Sequence, residues 1–299
     1  MKSSQLADTC QCVKEALNHG NMEFAEALRR EQELLGANKS KSDKGCLPKV
    51  GLIKQLGELG EIPQQSPKVV VLTCSDARVP VLELFQQRPN EVFEVQLAGN
   101  VASTECLGSI SYGVEHLPTV EGIVVLGHTG CGAVTASVDH YLSQKPEASS
   151  VEGSIMSLLN SIIPSVDIAA SVLAMNSQSV RDSILKDSLD LNKLIDIAIF
   201  VNAAAMAWKV QAFVKGLKRS VPVWYGVYDL ASCRILHADL NRQDGTLLFG
   251  LGDAPHLTEL NEVAQCLVLY LQKMNCFDSA KFAANGHNRH AKGDTSSST

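Results

Sequence analysis

A chain of 299 residues, 45% hydrophobic and 19% charged, is long enough for a sizeable core and is neither disordered nor fibrous in composition. Its formal charge of −6 excludes a broad electropositive footprint for nucleic acid. The nine cysteines, at 10, 12, 46, 74, 106, 131, 233, 266 and 276, are odd in number and irregularly spaced, which excludes a disulfide scaffold and leaves them as thiols.

The first 35 residues read as helix, with Val13, Leu17, Phe24, Leu28 and Leu35 forming an intermittent apolar face around Gly20 and Asn21. The opening MKSSQLADTCQCVKEAL lacks the apolar core of a secretory signal, so a cytoplasmic location is expected. Cys10 and Cys12 lie in this helix without a second close pair, which argues against a metal role for them. Gly36 to Lys49 is polar and reads as a loop, and a further helical stretch, Leu52 to Leu59, stops before Pro63.

From Lys68 the pattern changes to short apolar runs alternating with helices. VVVLT (69–73), VFEVQ (92–96) and GIVVLG (122–127) read as strands, and Glu105 to Leu117 as a helix with Leu107, Ile110, Val114 and Leu117 at helical spacing. The region from Val138 to Leu191 suggests helices broken at Pro164. Leu194 to Leu217 reads as a hydrophobic helix. Asp196 and Asn202 interrupt its most apolar part, Leu194 to Trp208, so a buried or dimer-facing helix is expected and not a membrane span. VPVWYGVYDL (221–230) is a strand with which Cys233 to Ala238 pairs, DGTLLFG closes the main body, and Leu257 to Met274 is an amphipathic helix. The last residues, 283–299, have no apolar groups to offset the entropy of ordering and read as a mobile tail. This βαβ order predicts an α/β fold with a mostly parallel central sheet flanked by helices, an N-terminal helical arm and a C-terminal helical extension. Functional groups should gather beyond the carboxyl ends of the strands.

Two segments begin at such ends, CSDAR at 74–78 and GHTGCG at 127–132. Thiolates and a neutral imidazole suit zinc, and three protein ligands leave one tetrahedral position for chemistry. His128 and Cys131 could grip one ion from a turn, with Cys74 reaching it from the adjacent strand end and Asp76 as a fourth ligand. Taken singly the two pieces are weak, since Cys74 and Cys131 read equally as small buried residues and His128 as a turn residue. Their occurrence at successive strand ends is what points to a metal. His140, His237 and His256 have no tie to these segments, and Cys106 reads as a buried thiol opening a helix.

The residues QSPKVVVLTCSDARVP (65–80), VFEVQLAGN (92–100), LGSISYGVEHL (107–117), GIVVLGHTGCGAV (122–134) and VYDL (227–230), with the weaker LNHGNMEF (17–24), resemble the beta-class carbonic anhydrases over roughly residues 15–250. The resemblance implies reversible zinc-dependent hydration of carbon dioxide to bicarbonate and a proton. Cys74, His128 and Cys131 are then permanent Zn2+ ligands, and Asp76 either closes the coordination or pairs with Arg78 as a gate. It further implies that Gln65, Phe93, Tyr112 and Gly132 belong to the substrate pocket, although Phe93 and Tyr112, taken singly, read more readily as core residues. The corresponding division is a helical arm at 1–35, a zinc-binding catalytic domain at 36–250, and a C-terminal helix and tail at 251–299.

Hydrolysis of carbonyl sulfide or carbon disulfide, and a non-catalytic zinc-containing scaffold, are the competing readings. The resemblance also implies a dimer or tetramer with N-terminal helices reaching a neighbouring subunit; no address for a microcompartment is present. Two departures stand out. Gln96 replaces the usual arginine, and the family's second, inhibitory bicarbonate pocket, built by a tryptophan, that arginine and a tyrosine, corresponds here to Val71, Gln96 and Tyr228, so that form of inhibition is expected to be absent.

Overall fold

The computed structural model describes residues 3–37, 62–143, 150–175 and 188–275; the helix expected at 52–59 and the tail at 283–299 lie outside the described residues. In chain order the elements are α1 (Ser3–Ala37), β1 (Val69–Thr73), α2 (Val81–Leu84), β2 (Val92–Gln96), α3 (Thr104–His116), β3 (Gly122–His128), α4 (Gly132–Ser143), α5 (Ser150–Met175), α6 (Ser188–Val214), β4 (Val223–Asp229), β5 (Arg234–Ala238), β6 (Leu247–Phe249), β7 (Gly252–Asp253) and α7 (Leu260–Asn275). One sheet runs β2-β1-β3-β4-β5-β6, with β7 also pairing β4. It is mixed: β2, β1, β3 and β4 are parallel, whereas β5, β6 and β7 add antiparallel pairs.

Burial explains which segments became central strands. Every residue of β1, β3 and β4 is buried, as expected of β-branched and aliphatic runs covered on both faces, whereas β2 is an edge and is only partly covered. Side chains alternate between two cores. Val70, Leu72, Ile123, Val125, Tyr225 and Val227 face α3 to α7, while Val69, Val71, Val124, Leu126, Trp224 and Tyr228 face α1 and α2. The apolar side of α7 thus packs on its own chain, with Leu260, Val263 and Leu267 in the larger core.

The helix α1 also lies against its own sheet. Leu17 is buried there, Asn21 accepts from Ile235 N–H and donates to the Cys233 carbonyl, and Asn18 accepts from Leu251 N–H. These amides tie the helix to backbone groups at the antiparallel end of the sheet, which would otherwise be buried without partners. By length and apolarity two helices could cross a membrane, Gly153–Met175 and Leu191–Val214. The second is two-thirds buried, packed on β3 and β4, as the buried-helix reading expects.

One expectation is corrected. The helix α5 continues through Pro164, so there is no break. Proline removes the bond to the carbonyl four residues earlier, here that of Asn160, an exposed residue, while Ile162, Val166 and Ala169 on either side are fully buried and hold the helix to the core. Helix α4 and the single turn α2 went unread in the sequence.

Candidate metal centre

Register brings the two motifs together. Thr73 pairs with Leu126, so Cys74 leaves β1 beside the end of β3, where Gly127 and His128 pair with Val227 and Tyr228 of β4. The chain then turns at Gly130, whose φ of +66° is a left-handed conformation that favours glycine, and returns Cys131 to the same spot at the start of α4. The ligand atoms of Cys74, His128 and Cys131, all three buried, lie within 4.8 Å of one another, the two sulfurs 4.0 Å apart.

Three observations fit zinc to this cluster. Two sulfurs each about 2.3 Å from a tetrahedral zinc stand about 3.8 Å apart, close to the spacing seen. The His128 Nδ1 lies 3.1 Å from the Thr129 carbonyl, which can only accept, so Nδ1 carries the hydrogen and Nε2 presents its lone pair. That Nε2 is fully buried and has no hydrogen-bond partner among the described residues, an arrangement that is costly unless a ligand completes it. Hydrogen bonding with Cys131 holds the Cys74 thiol well below its ordinary range, and the same contact together with burial drives Cys131 upward. Two close buried sulfurs that share a hydrogen in this way are a pair that a dication would satisfy together.

Beside the cluster, Arg78 donates to Asp76 as a fork: Nε to Oδ1 at 2.9 Å and Nη2 to Oδ2 at 2.7 Å, with the Arg78 N–H adding a third bond at 2.9 Å. Arg78 Nη2 also donates to the Gly130 carbonyl at 3.2 Å, tying the pair to the ligand turn. These bonds hold the Asp76 carboxyl far below its ordinary range and raise the Arg78 guanidinium. Asp76 Oδ2 is 3.8 Å from His128 Nε2, so the carboxylate already borders the coordination space.

The other residues expected at the site are placed differently. Gly132 opens α4 directly after Cys131. Gln65 lies exposed in the segment before β1. Phe93 and Tyr112 stack on each other, ring centroids 6.2 Å apart, on the outer edge formed by β2 and α3. Phe93 stands level with Val70, four residues before Cys74, so it is set back from Cys74 by about 13 Å along the strand.

Three supporting groups were not assigned from the sequence. Gly99 donates its N–H to the Cys74 sulfur at 3.2 Å. The Thr129 hydroxyl donates to Asp229 and accepts from Leu230 N–H, bracing the turn between two ligands. Asn202 of α6 donates to the Gly99 carbonyl.

Residues 69–232 match the model of the carbonic anhydrase family. A carbonic anhydrase of Mycolicibacterium smegmatis is 40% identical over 102 residues, 34% of this chain and 47% of that protein. The mitochondrial beta carbonic anhydrase 6 of Arabidopsis thaliana is 30% identical over 134 residues, 40% of this chain and 46% of that protein. These matches therefore span a little under half the length of the relatives. Among solved structures, the β-carbonic anhydrase CafA of Aspergillus fumigatus has a TM-score of 0.45 at 20% identity, covering 81% of this chain and 96% of that one.

Proposed function

The chain belongs to the carbonic anhydrase family, in its beta class, and from that premise we propose that it catalyses the reversible hydration of carbon dioxide to bicarbonate and a proton, with Zn2+ held by Cys74, His128 and Cys131. The observation that carries this reading is the buried His128 Nε2, without a hydrogen-bond partner among the described residues, facing two sulfurs beside the Asp76–Arg78 fork. Zinc bound there would supply Lewis-acid activation of water.

The chain's own residues do the rest. Two thiolates bring negative charge to the site, and Arg78 is the cation that borders it, pinned by Asp76 and Gly130. Held in the fork, the ionised Asp76 is kept off the ligand set and its oxygens are free to accept a hydrogen bond from the attacking water. Rotated out of the fork, the carboxylate would lie close enough to His128 to close the site, which makes Arg78 the latch of a gate. Gln65, Phe93, Tyr112 and Gly132 are proposed as the carbon dioxide pocket. Phe93 and Tyr112, on an exposed sheet edge, would join such a pocket through self-association as a dimer or tetramer. A reducing compartment such as the cytoplasm suits the site, because the described cysteines, both thiol ligands among them, are free.

The test combines metal analysis with carbon dioxide hydration from neutral to alkaline pH. Wild-type protein should carry close to one zinc per chain and hydrate carbon dioxide, and Arg78→Ala should keep its zinc while losing at least about tenfold in rate, the size expected for loss of a positioned catalytic group. Full zinc occupancy without hydration across that range would overturn the assignment.

A further inference from the structure

Helix α6 is apolar along most of its buried length, yet Asn202 sits in its middle, fully buried between Val201, Ala203 and Ala204. An amide in such a place loses its water, and this one recovers only part of the loss, because its Oδ1 has no hydrogen-bond partner among the described residues. Its Nδ2 makes one well-formed bond, 2.9 Å to the carbonyl of Gly99. Gly99 is in turn the residue whose N–H points at the Cys74 sulfur, 3.2 Å away.

The turn around Gly99 has little freedom to compensate for a lost anchor. Gly99 has a φ of +68°, and a Cβ built there would come within 2.6 Å of Ile162 of α5, so the backbone is pressed against the helices at a conformation other residues resist. The amide bond from Asn202 fixes the next peptide of the same turn, so its effect on the sulfur is positional. It keeps the Gly99 N–H aimed at Sγ.

We propose that Asn202 is a positioning residue of the metal centre, holding the Gly99 peptide so that its N–H hydrogen-bonds the Cys74 sulfur and restrains the charge that sulfur donates. The inference rests on the reading of Cys74, His128 and Cys131 as metal ligands. A thiolate relieved of an N–H donor is more electron-rich and less firmly oriented, so the centre would hold its ion in a different ligand field and release it faster.

Cobalt(II) in place of zinc makes both effects readable without measuring activity. The full chain is loaded with cobalt(II), the thiolate-to-cobalt charge-transfer band is recorded, and the rate of cobalt loss to a chelator is followed. Asn202→Leu keeps the volume and removes the donor; Val201→Ala, equally buried on the same helix, loosens packing without touching Gly99. If Asn202→Leu does not fold, Asn202→Thr replaces it, since a helical threonine satisfies its hydroxyl on the carbonyl four residues back. The Asn202 variant should show the band at longer wavelength and cobalt release at least tenfold faster, with Val201→Ala within twofold of wild type and its band unmoved. An unshifted band and wild-type release in the Asn202 variant overturn the proposal, as does an equal change in Val201→Ala. Wild-type protein that binds cobalt without a thiolate band overturns the metal reading itself, a result distinct from either.

Discussion

His128 commits one ring nitrogen to the Thr129 carbonyl and leaves the other facing two sulfurs, and that division of labour depends on where Thr129 is held. Its hydroxyl does the holding, donating to Asp229 and accepting from Leu230 N–H, while Asp229 takes three more bonds from Ala231 and Ser232. Thr129→Val keeps the shape and strips both hydroxyl bonds, leaving a backbone N–H and part of a carboxylate unsatisfied. Denaturant titration should show a loss of about 1–3 kcal/mol, restored by Thr129→Ser; a loss below about 0.5 kcal/mol would remove the brace from the account. The grouping of Cys74, His128 and Cys131 was legible in the sequence because strand-end placement is a topological rule and all three belong to short motifs. Gly99 and Asn202 were not. Their roles depend on a backbone N–H and on contact between residues about a hundred positions apart, neither of which leaves a local pattern. Asn202 left one trace, as a polar interruption of an apolar helix, and a break in hydrophobic pattern says that something polar is satisfied there without saying by what.

At the level of elements, strands β1 to β5 and the helices α1, α3, α6 and α7 were readable from the sequence pattern, whereas α5 was misread because Pro164 is a strong local signal overruled by packing. That conflict should be measurable. Pro164→Ala restores a backbone N–H in a helix already held by Ile162 and Val166, and despite the greater freedom of its unfolded chain it should gain about 1–3 kcal/mol. An unchanged or lowered denaturation midpoint would mean that the helix has adapted to the proline. Neighbouring strands carry the second departure from the family. Val71 is fully buried and pairs with Glu94, whose side chain accepts from Gln96 Nε2 at 2.9 Å. A neutral amide bonded to a carboxylate stands where the resemblance implies a guanidinium, so at this position an anion would meet no fixed positive charge. Bicarbonate added to a hydration assay at constant pH and ionic strength should act only as product, with no cooperative loss of activity; steep cooperative inhibition would show that the second pocket works here by other residues.

Across the whole molecule, one sheet divides two cores of unequal size, and α6 lies in the larger one, packed on β3 and β4. Both polar residues that interrupt its apolar run therefore reach the turns around the site, Asn202 toward Gly99 and Asp196 toward the small cavity it shares with Thr129, Asp229 and Tyr270. Asp196 has a global consequence that Asn202 lacks. Burial, and then the like charge of Asp229, raise its carboxyl to about 7. An unfolded aspartate titrates near 3.9, so between that value and about 7 the folded chain keeps a proton that the unfolded chain has released. The folded state is thus undisturbed by Asp196 below the unfolded value, loses stability steadily as pH rises, and carries the full penalty once pH exceeds about 7. Asp196→Asn abolishes this dependence. Its stability advantage over wild type should widen by about 1–2 kcal/mol between pH 5.5 and pH 8, read from denaturant midpoints at the two pH values on fully metallated protein. An advantage that stays constant or narrows over that interval would mean that Asp196 ionises as freely in the folded chain as in the unfolded one.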